Sequence, residues 1–535
     1  MHKKLTTILH FIKVYLILYY GVILVKRKSR RGYRIPKRII VTGFLLLIEI
    51  AFIALFSAYI TKDHYFTFAL FEFLSVCCVV YLVNEKNEQS YKIAWIIFIL
   101  GIPYAGWLFF LVFGGNRVFP LVKRKYLEIE GNNQKLIRQD PEVLKKLEAK
   151  GLLGAKQAKY LYRESGYPVY DNTKTTFFSP AEDAFSAILK DLKSAEKYIF
   201  IEFFIIADGY MWDEIHKILL ERLNAGVEIK IIFDDFGSAS RQHRNFVKDL
   251  KREGFDVLVF NQIRFRSNIF LNNRNHRKMI VIDGKVAYTG GFNIADEYIN
   301  RLERFGHWLD SGIRIEGDAV DSFVNAFITM WSFTIRKPLS PEIYLLSEHK
   351  SSGEGFAQPY FDGPFDDHKA GEGIYLQMIN NARRYVYITT PYLVINNNMM
   401  EALCRASLSG VDVRILTPKK WDKWYVHPVT QYHYQDLLKA GVKIYEYTPG
   451  FVHSKLFAVD DRFATVGTVN MDYRSFFFHF ECGVLISNCE TVNNIKDSIL
   501  ENLKESEQII LESWLKRGFL KKAKQFILHL FAPFM

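Results

Sequence analysis

One arrangement occurs twice in this chain: a histidine, a lysine two residues on, and an aspartate five residues after that. The first copy is His276-Arg-Lys278-Met-Ile-Val-Ile-Asp283 and the second is His453-Ser-Lys455-Leu-Phe-Ala-Val-Asp460. Each runs on to a Gly-containing turn and an asparagine, Gly290-Gly291-Phe-Asn293 and Gly467-Thr468-Val-Asn470, and both asparagines fall 17 residues after their histidine. Three fixed letters recur by chance in a long chain. Two copies with the same downstream offset do not, and they restrict the fold to a duplicated unit.

The repeat extends beyond the motif. Tyr198-Ile-Phe-Ile-Glu-Phe-Phe204 matches Tyr385-Val-Tyr-Ile-Thr-Thr-Pro391 at an offset of 187, and Gly254-Phe-Asp-Val-Leu-Val-Phe260 matches Gly441-Val-Lys-Ile-Tyr-Glu-Tyr447 at the same offset. Ala225–Phe233 matches Ser409–Thr417 at 184, whereas the motifs are 177 apart, so the first half carries about ten extra residues near Arg264 to Asn275. Apolar strand patterns alternate with helical ones, such as Ala184–Leu192 and Ile215–Leu223. That alternation predicts two α/β lobes, each a β-sheet flanked by helices, joined face to face with the site at their seam. The domain reading is a hydrophobic segment and basic loop (1–38), an apolar region (39–113), a connecting segment (114–168), a first lobe (169–336), a Pro/Ser/Gly-rich linker (337–367), a second lobe (368–515) and a basic tail (516–535).

Histidine, lysine and asparagine in paired sets suit phosphodiester chemistry. Two imidazoles converging on one phosphorus can divide the work, one attacking while the other protonates the leaving oxygen. Lys278, Lys455, Asn293 and Asn470 supply donors to the non-bridging oxygens, where charge concentrates. Two-residue spacing puts each His and Lys on the same side of a strand. The aspartates Asp283 and Asp460 belong to the repeated candidate set, although four apolar residues place each at the far end of its strand, where organising the next turn is its expected task. Asp310-Ser-Gly312 and Glu481-Cys-Gly483 stand in equivalent places, 34 and 28 residues after their histidines, and are the candidates to orient the imidazoles. No metal-ligand spacing is present and no cofactor is expected.

These strings carry a resemblance. The double signature looks like the phospholipase D superfamily, and Gly467-Thr-Val-Asn-Met-Asp-Tyr-Arg474-Ser475-Phe, Thr390-Pro391-Tyr392 and Asn293-Ile-Ala-Asp-Glu297-Tyr298 resemble its bacterial cardiolipin synthases. The resemblance implies duplicated phospholipase D-like lobes with pseudo-two-fold symmetry. It implies a phosphatidyltransferase that uses phosphatidylglycerol as donor and acceptor and passes through a phosphohistidine, with His276 as nucleophile and His453 as acid/base. A hydrolase, a different acceptor alcohol and a membrane-tethered nucleic-acid phosphodiesterase are the alternatives. Thr468 and His479 depart from the family's commoner residues, Ser or Gly and Asn.

The N-terminal third points to a membrane. Apolar runs at Ile39–Ile60, Tyr65–Val83 and Ile93–Phe113 approach or exceed the ~20 residues of a bilayer-spanning helix. A fourth, Leu5–Val25, is interrupted by Lys13. Basic stretches at Lys26–Arg38 and Lys123–Lys125 both read as cytoplasmic, yet three spans between two inside loops is the wrong parity. Glu49 and the Gly101-Ile-Pro103 break mark the runs that could fail to cross. The expectation is a multi-pass cell-membrane protein with cytoplasm-facing lobes. The net charge of +13 suits anionic membrane lipids, and nucleic acid is not the expected partner. Lys516–Phe531 reads as a basic amphipathic helix lying on the membrane.

Overall fold

The computed structural model describes residues 65–85, 88–102, 105–114, 120–262, 272–346, 353–365 and 369–535. Two sheets dominate. The first has seven strands in the order Thr173–Phe178, Gly312–Gly317, Val286–Gly290, Lys278–Ile282, Tyr198–Phe203, Glu228–Asp234, Asp256–Phe260. The second repeats that order with Phe356–Asp362, His479–Ser487, Phe463–Gly467, Leu456–Val459, Tyr385–Thr389, Asp412–Pro418 and Lys443–Tyr447, then adds Ser506–Ile509 at the far edge. In both, the last three strands of the shared order run parallel through helical crossovers, and the motif strand is antiparallel to its neighbours. Both faces of these strands are covered, and for that reason they read as continuous apolar runs.

The lobes pack through a shared core. Helix Val320–Ile335 lies between the sheets and places Phe323, Phe327 and Ile328 against Phe200 and Val281 of the first and, in the same cluster, Ala458 and Val484 of the second. Phe200 and Phe327 stack with centroids 4.4 Å apart. Separate clusters fill the outer face of each lobe.

Two segments differ from the sequence reading. The stretch read as a linker contributes Phe356–Asp362, which pairs antiparallel with His479–Ser487 and is the counterpart of Thr173–Phe178. The connecting segment is helical (Pro120–Gln134, Pro141–Lys150, Leu152–Ser165) and ties the lobes together, with Asn133 bonded to Thr329 at 2.9 Å and Gln358 donating to the Ala158 carbonyl at 3.1 Å.

Among the described residues, no helix is long and apolar enough to cross a membrane. The runs Leu5–Val25 and Ile39–Ile60 and the Lys26–Arg38 loop lie outside the described residues, as does most of the insertion near Arg264. The Tyr65–Val83 run forms the helix Tyr65–Asn84. The Ile93–Phe113 run is not a single helix: Gln89–Gly101 and Gly106–Phe113 fold back on each other, with Trp95 against Phe110 at 5.4 Å and Phe98 against Phe109 at 5.8 Å. The sequence gives the reason, because Pro103 cannot continue a helix. A Cβ on Gly106 would lie 2.7 Å from the Ile99 Cα, so the reversal needs glycine there. The C-terminal turn Ala532–Phe534 packs into this hairpin, and the tail forms the helix Phe519–His529.

Candidate active site

Two short parallel ladders join the lobes, and each ends one residue before a histidine–carboxylate pair. Gly450–Val452 of the second lobe pairs with His307–Leu309 of the first, and the next residues are His453 and Asp310. Arg274–Asn275 of the first lobe pairs with His479–Phe480 of the second, and the next are His276 and Glu481. The histidine amides extend these ladders, His453 N–H to the Leu309 carbonyl at 2.8 Å and His276 N–H to that of Phe480 at 2.9 Å. Both histidines therefore stand just ahead of their motif strands, fixed by the opposite lobe.

The result is crossed pairing. His276 Nδ1 lies 2.9 and 3.0 Å from the two Glu481 oxygens, and His453 Nδ1 lies 2.7 Å from Asp310 Oδ2. Offsets along the chain suggested that each acid serves its own lobe's histidine; the two-fold closure exchanges them. A carboxylate on Nδ1 holds that hydrogen and leaves the Nε2 lone pair for chemistry. Glu481 also accepts from Ser475 Oγ at 2.7 Å and from Thr468 Oγ1. Asp310 takes the Ser311 amide at 2.8 Å. Gly291 is required beside it, since a Cβ there would fall 2.1 Å from Asp310 Oδ1.

The motif lysines close the seam. Lys278 Nζ donates to the His276 carbonyl at 2.8 Å, and Lys455 Nζ donates to the His453 carbonyl and lies 3.0 Å from His453 Nδ1. Phe204 stands 5.1 Å from the His276 ring, and Tyr298 and Trp308 stand 5.3 and 5.4 Å from that of His453. The histidines are only 8% and 7% exposed.

Burial sets the protonation states. It holds the His276 imidazole well below its ordinary value, helped by the Lys278 charge, and brings His453 down to about 4, with Lys455 adding to the effect and Asp310 opposing it. Burial also lowers Lys278 to about 8 and Lys455 to about 7, and pushes Glu481 up to about 8 against the pull of Lys278. Burial thus disfavours the charge on each of these groups, and a phosphate bound among them would draw protons onto the lysines and imidazoles.

The asparagines are not equivalent. Asn293 Oδ1 accepts the Ile205 amide at 3.0 Å and its Nδ2 donates to Tyr298 OH at 2.7 Å, which anchors the wall beside His453. Asn470 keeps a buried Oδ1 with no partner, while its backbone N–H donates to Ser475 Oγ at 3.1 Å.

Asp283 and Asp460 are not brought to the seam. Asp283 accepts the amides of Glu196, Lys197 and Tyr198 at 2.7–2.9 Å, and Asp460 those of Arg383, Arg384 and Tyr385 at the same distances. Both have positive φ, 53° and 56°, in the turn at the far end of the motif strand. Five residues of strand in the first lobe and four in the second separate that turn from the histidine end by roughly 15 Å. Their place in the repeat reflects strand anchoring, and they do not stand with the catalytic set.

Four residues to which the sequence reading gave no role contribute to the site. Thr468 and Ser475 brace Glu481, His479 adjoins it, and Arg277 lies fully buried behind the site over the Phe361 ring. Thr468 lies in the repeated turn and Ser475 in the string that carries the family resemblance, His479 registered only as a departure from that family, and Arg277 gave no signal beyond its place between His276 and Lys278. Among the described residues, one trio could hold a metal ion, His276, His479 and Glu481, with ligand atoms all within 4.8 Å. A metal there would compete with the His276–Glu481 bond.

With this geometry in place, the comparisons are specific. Residues 188–331 and 375–503 match the family described as "Cardiolipin synthase, PLD-like domain", and residues 73–115 match "Phospholipase_D-nuclease N-terminal". An uncharacterized protein of Streptococcus mutans is 39% identical over 462 residues, covering 85% of this chain and 99% of that protein. A cardiolipin synthase of Oceanobacillus iheyensis is 33% identical over 455 residues, covering 84% and 94%. The crystal structure of a phosphatidylserine synthase from Haemophilus influenzae superposes with a TM-score of 0.54 at 15% identity, covering 71% of this chain and 98% of that one, and so shares the fold. The chain belongs to the cardiolipin synthase family of phospholipase D-like proteins.

Proposed function

We propose that the protein is a membrane phosphatidyltransferase that condenses two phosphatidylglycerol molecules into cardiolipin and glycerol. The crossed seam supports this most directly, because it brings together two imidazoles, each held through Nδ1 by a carboxylate, and the two motif lysines, a set suited to one phosphodiester. In the first step His276 Nε2 attacks the donor phosphorus. The bond to the glycerol oxygen breaks, and that oxygen takes a proton from His453. Lys278 and Lys455 stabilise the charge on the non-bridging oxygens. In the second step the hydroxyl of another phosphatidylglycerol gives its proton to His453 and attacks phosphorus, and the P–N bond breaks. The free imidazoles are neutral at pH 7, so the acid enters the cycle by taking up a proton when the anionic phosphodiester arrives. Every electron pair and proton in the two steps is accounted for by the imidazoles and the two alcohols. Asn470, with its free Oδ1, suits contact with a substrate hydroxyl, and Asn293 and Tyr298 position the His453 side. The low exposure of both histidines favours a lipid alcohol over water as acceptor.

The bacterial cell membrane is the proposed location, with the N-terminal apolar runs as multi-pass anchors, the lobes facing the cytoplasm and anionic lipids around them. Phe73, Val76, Ile93, Ile97 and Leu100 of the hairpin region are exposed, as are Phe519, Leu520, Phe526 and Ile527 of the basic tail helix, which is the composition of a lipid-facing surface. Protease digestion of the lobes only after opening sealed, right-side-out vesicles is the expected outcome; digestion in sealed ones would reverse the orientation.

Product analysis tests the activity. Purified protein in mixed micelles with labelled phosphatidylglycerol as the only lipid should yield cardiolipin and glycerol, and His276→Ala and His453→Ala should each abolish both. Phosphatidic acid in place of cardiolipin would make the protein a hydrolase.

A further inference from the structure

Joining two phosphatidylglycerols brings two anionic phosphodiesters into one buried site. Like charges so placed repel strongly in a low-dielectric seam unless each has its own cations. Lys278 and Lys455 flank the reacting phosphate through their bonds to the histidine carbonyls. A second group adjoins them. The His479 side chain is 10% exposed, and both its ring nitrogens are buried without a hydrogen-bond partner. Its ring lies 5.4 Å from that of His276, and its Nδ1 is 3.8 Å from Glu481 Oε1. A buried polar group left unpaired is costly and calls for a ligand.

The surroundings of His479 are cationic. Arg474, five residues earlier on the short helix Tyr473–Phe477, donates to the Phe534 carbonyl at 2.7 Å and makes no ion pair among the described residues. Arg274 sits opposite His479 in the cross-lobe ladder and is held by Asp234 at 3.3 Å, so it supplies field without being free to move. The charges on Arg474 and Arg274 reinforce burial in keeping the His479 imidazole neutral, which leaves one N–H to donate.

The neighbours of His479 along the strand suit the approach of a lipid headgroup. Phe478 packs against Tyr91 of the membrane hairpin at 5.7 Å and shares its cluster with Phe534 of the tail, while Phe480 packs into the core between the lobes. His479 thus stands at the boundary between the apolar surface and the catalytic seam. We infer that His479 and Arg474 form a second phosphate subsite, which holds the phosphodiester of the acceptor lipid beside the phosphate being transferred. This rests on the transferase reading above and names the acceptor as a phosphate-bearing lipid.

The test compares two acceptors in the full-length enzyme, in micelles with EDTA. Exchange of labelled glycerol into phosphatidylglycerol uses an acceptor without phosphate, whereas cardiolipin formation uses one with it. Arg474→Gln should keep exchange within about threefold of wild type and lower cardiolipin formation by about tenfold or more, mainly through KM for phosphatidylglycerol, and His479→Ala, beside the His276–Glu481 pair, should lower cardiolipin formation more than exchange. His479→Asn, which retains a donor, should recover part of the loss and guards against a variant that fails to fold. Parallel loss of both activities in the variants, or an unchanged ratio, would overturn the subsite. A wild-type enzyme that exchanges glycerol yet makes no cardiolipin would overturn the transferase reading itself, and this inference with it.

Discussion

Crossing of the histidine–carboxylate pairs makes a prediction that no within-lobe arrangement shares. The perturbations are Glu481→Gln and Asp310→Asn, each compared with His276→Ala and His453→Ala. Glu481 binds His276 Nδ1 with both oxygens, at 2.9 and 3.0 Å, inside a fully buried site. The bond becomes charge-assisted when the His276 ring gains positive charge on attacking phosphorus, and such a bond contributes about 1.5–3 kcal/mol, which at about 1.4 kcal/mol per tenfold corresponds to a rate loss of about 10- to 150-fold. Loss of the fixed tautomer adds to that. The assay is intermediate formation from two donors, phosphatidylglycerol and a phosphatidyl nitrophenyl ester. Nitrophenolate leaves without a proton, so the acid is needed only for the glycerol donor. His453→Ala and Asp310→Asn should therefore recover with the nitrophenyl donor, while His276→Ala and Glu481→Gln should not. If His453→Ala and Asp310→Asn stay inactive together and the other pair recovers, the roles of the two histidines are reversed but the pairing stands. If Asp310→Asn groups with His276→Ala, the crossed pairing is refuted.

Other consequences are more quickly stated. Burial holds Lys455 at about 7 and Lys278 at about 8, so both are charged below those values and neutral above them. Accordingly kcat/KM for the anionic donor should fall as pH rises from 7 to 9, and binding at pH 7 should take up protons, measurable in weakly buffered indicator solution; a rise across that range would contradict the assignment. Asp460→Ala frees three backbone amides and should lower stability by roughly 1–3 kcal/mol or more, read as a lower Tm, while activity per folded molecule changes little. Leu520, 83% exposed on the tail helix, should bury in lipid: an environment-sensitive dye on Leu520→Cys should shift to the blue with phosphatidylglycerol vesicles and not with buffer alone.

Much of the fold was legible because duplication and apolar runs are local signals. The strands Tyr198–Phe203 and Tyr385–Thr389 and the two motif strands lie where the repeat offsets put them. Phe356–Asp362 escaped because Pro359 interrupts it, and proline is admitted there only because the strand is at a sheet edge. The pairing of His276 with Glu481, 205 residues away, could not be read from spacing, since the two-fold closure of the lobes decides it. Asp283 and Asp460 show the opposite hazard: a residue can repeat faithfully with a catalytic motif while holding the strand that carries it. His479 registered only as a departure from a pattern, because its lack of a partner exists only in three dimensions.

The most direct test of the account is to trap the enzyme-bound phosphoryl group. Donor labelled at phosphorus, quenched in alkali before the acceptor step, should leave label on a peptide containing His276 in wild type and in His453→Ala given the nitrophenyl donor, and none in His276→Ala. Label on no histidine, with cardiolipin still formed, would contradict transfer through the seam described here.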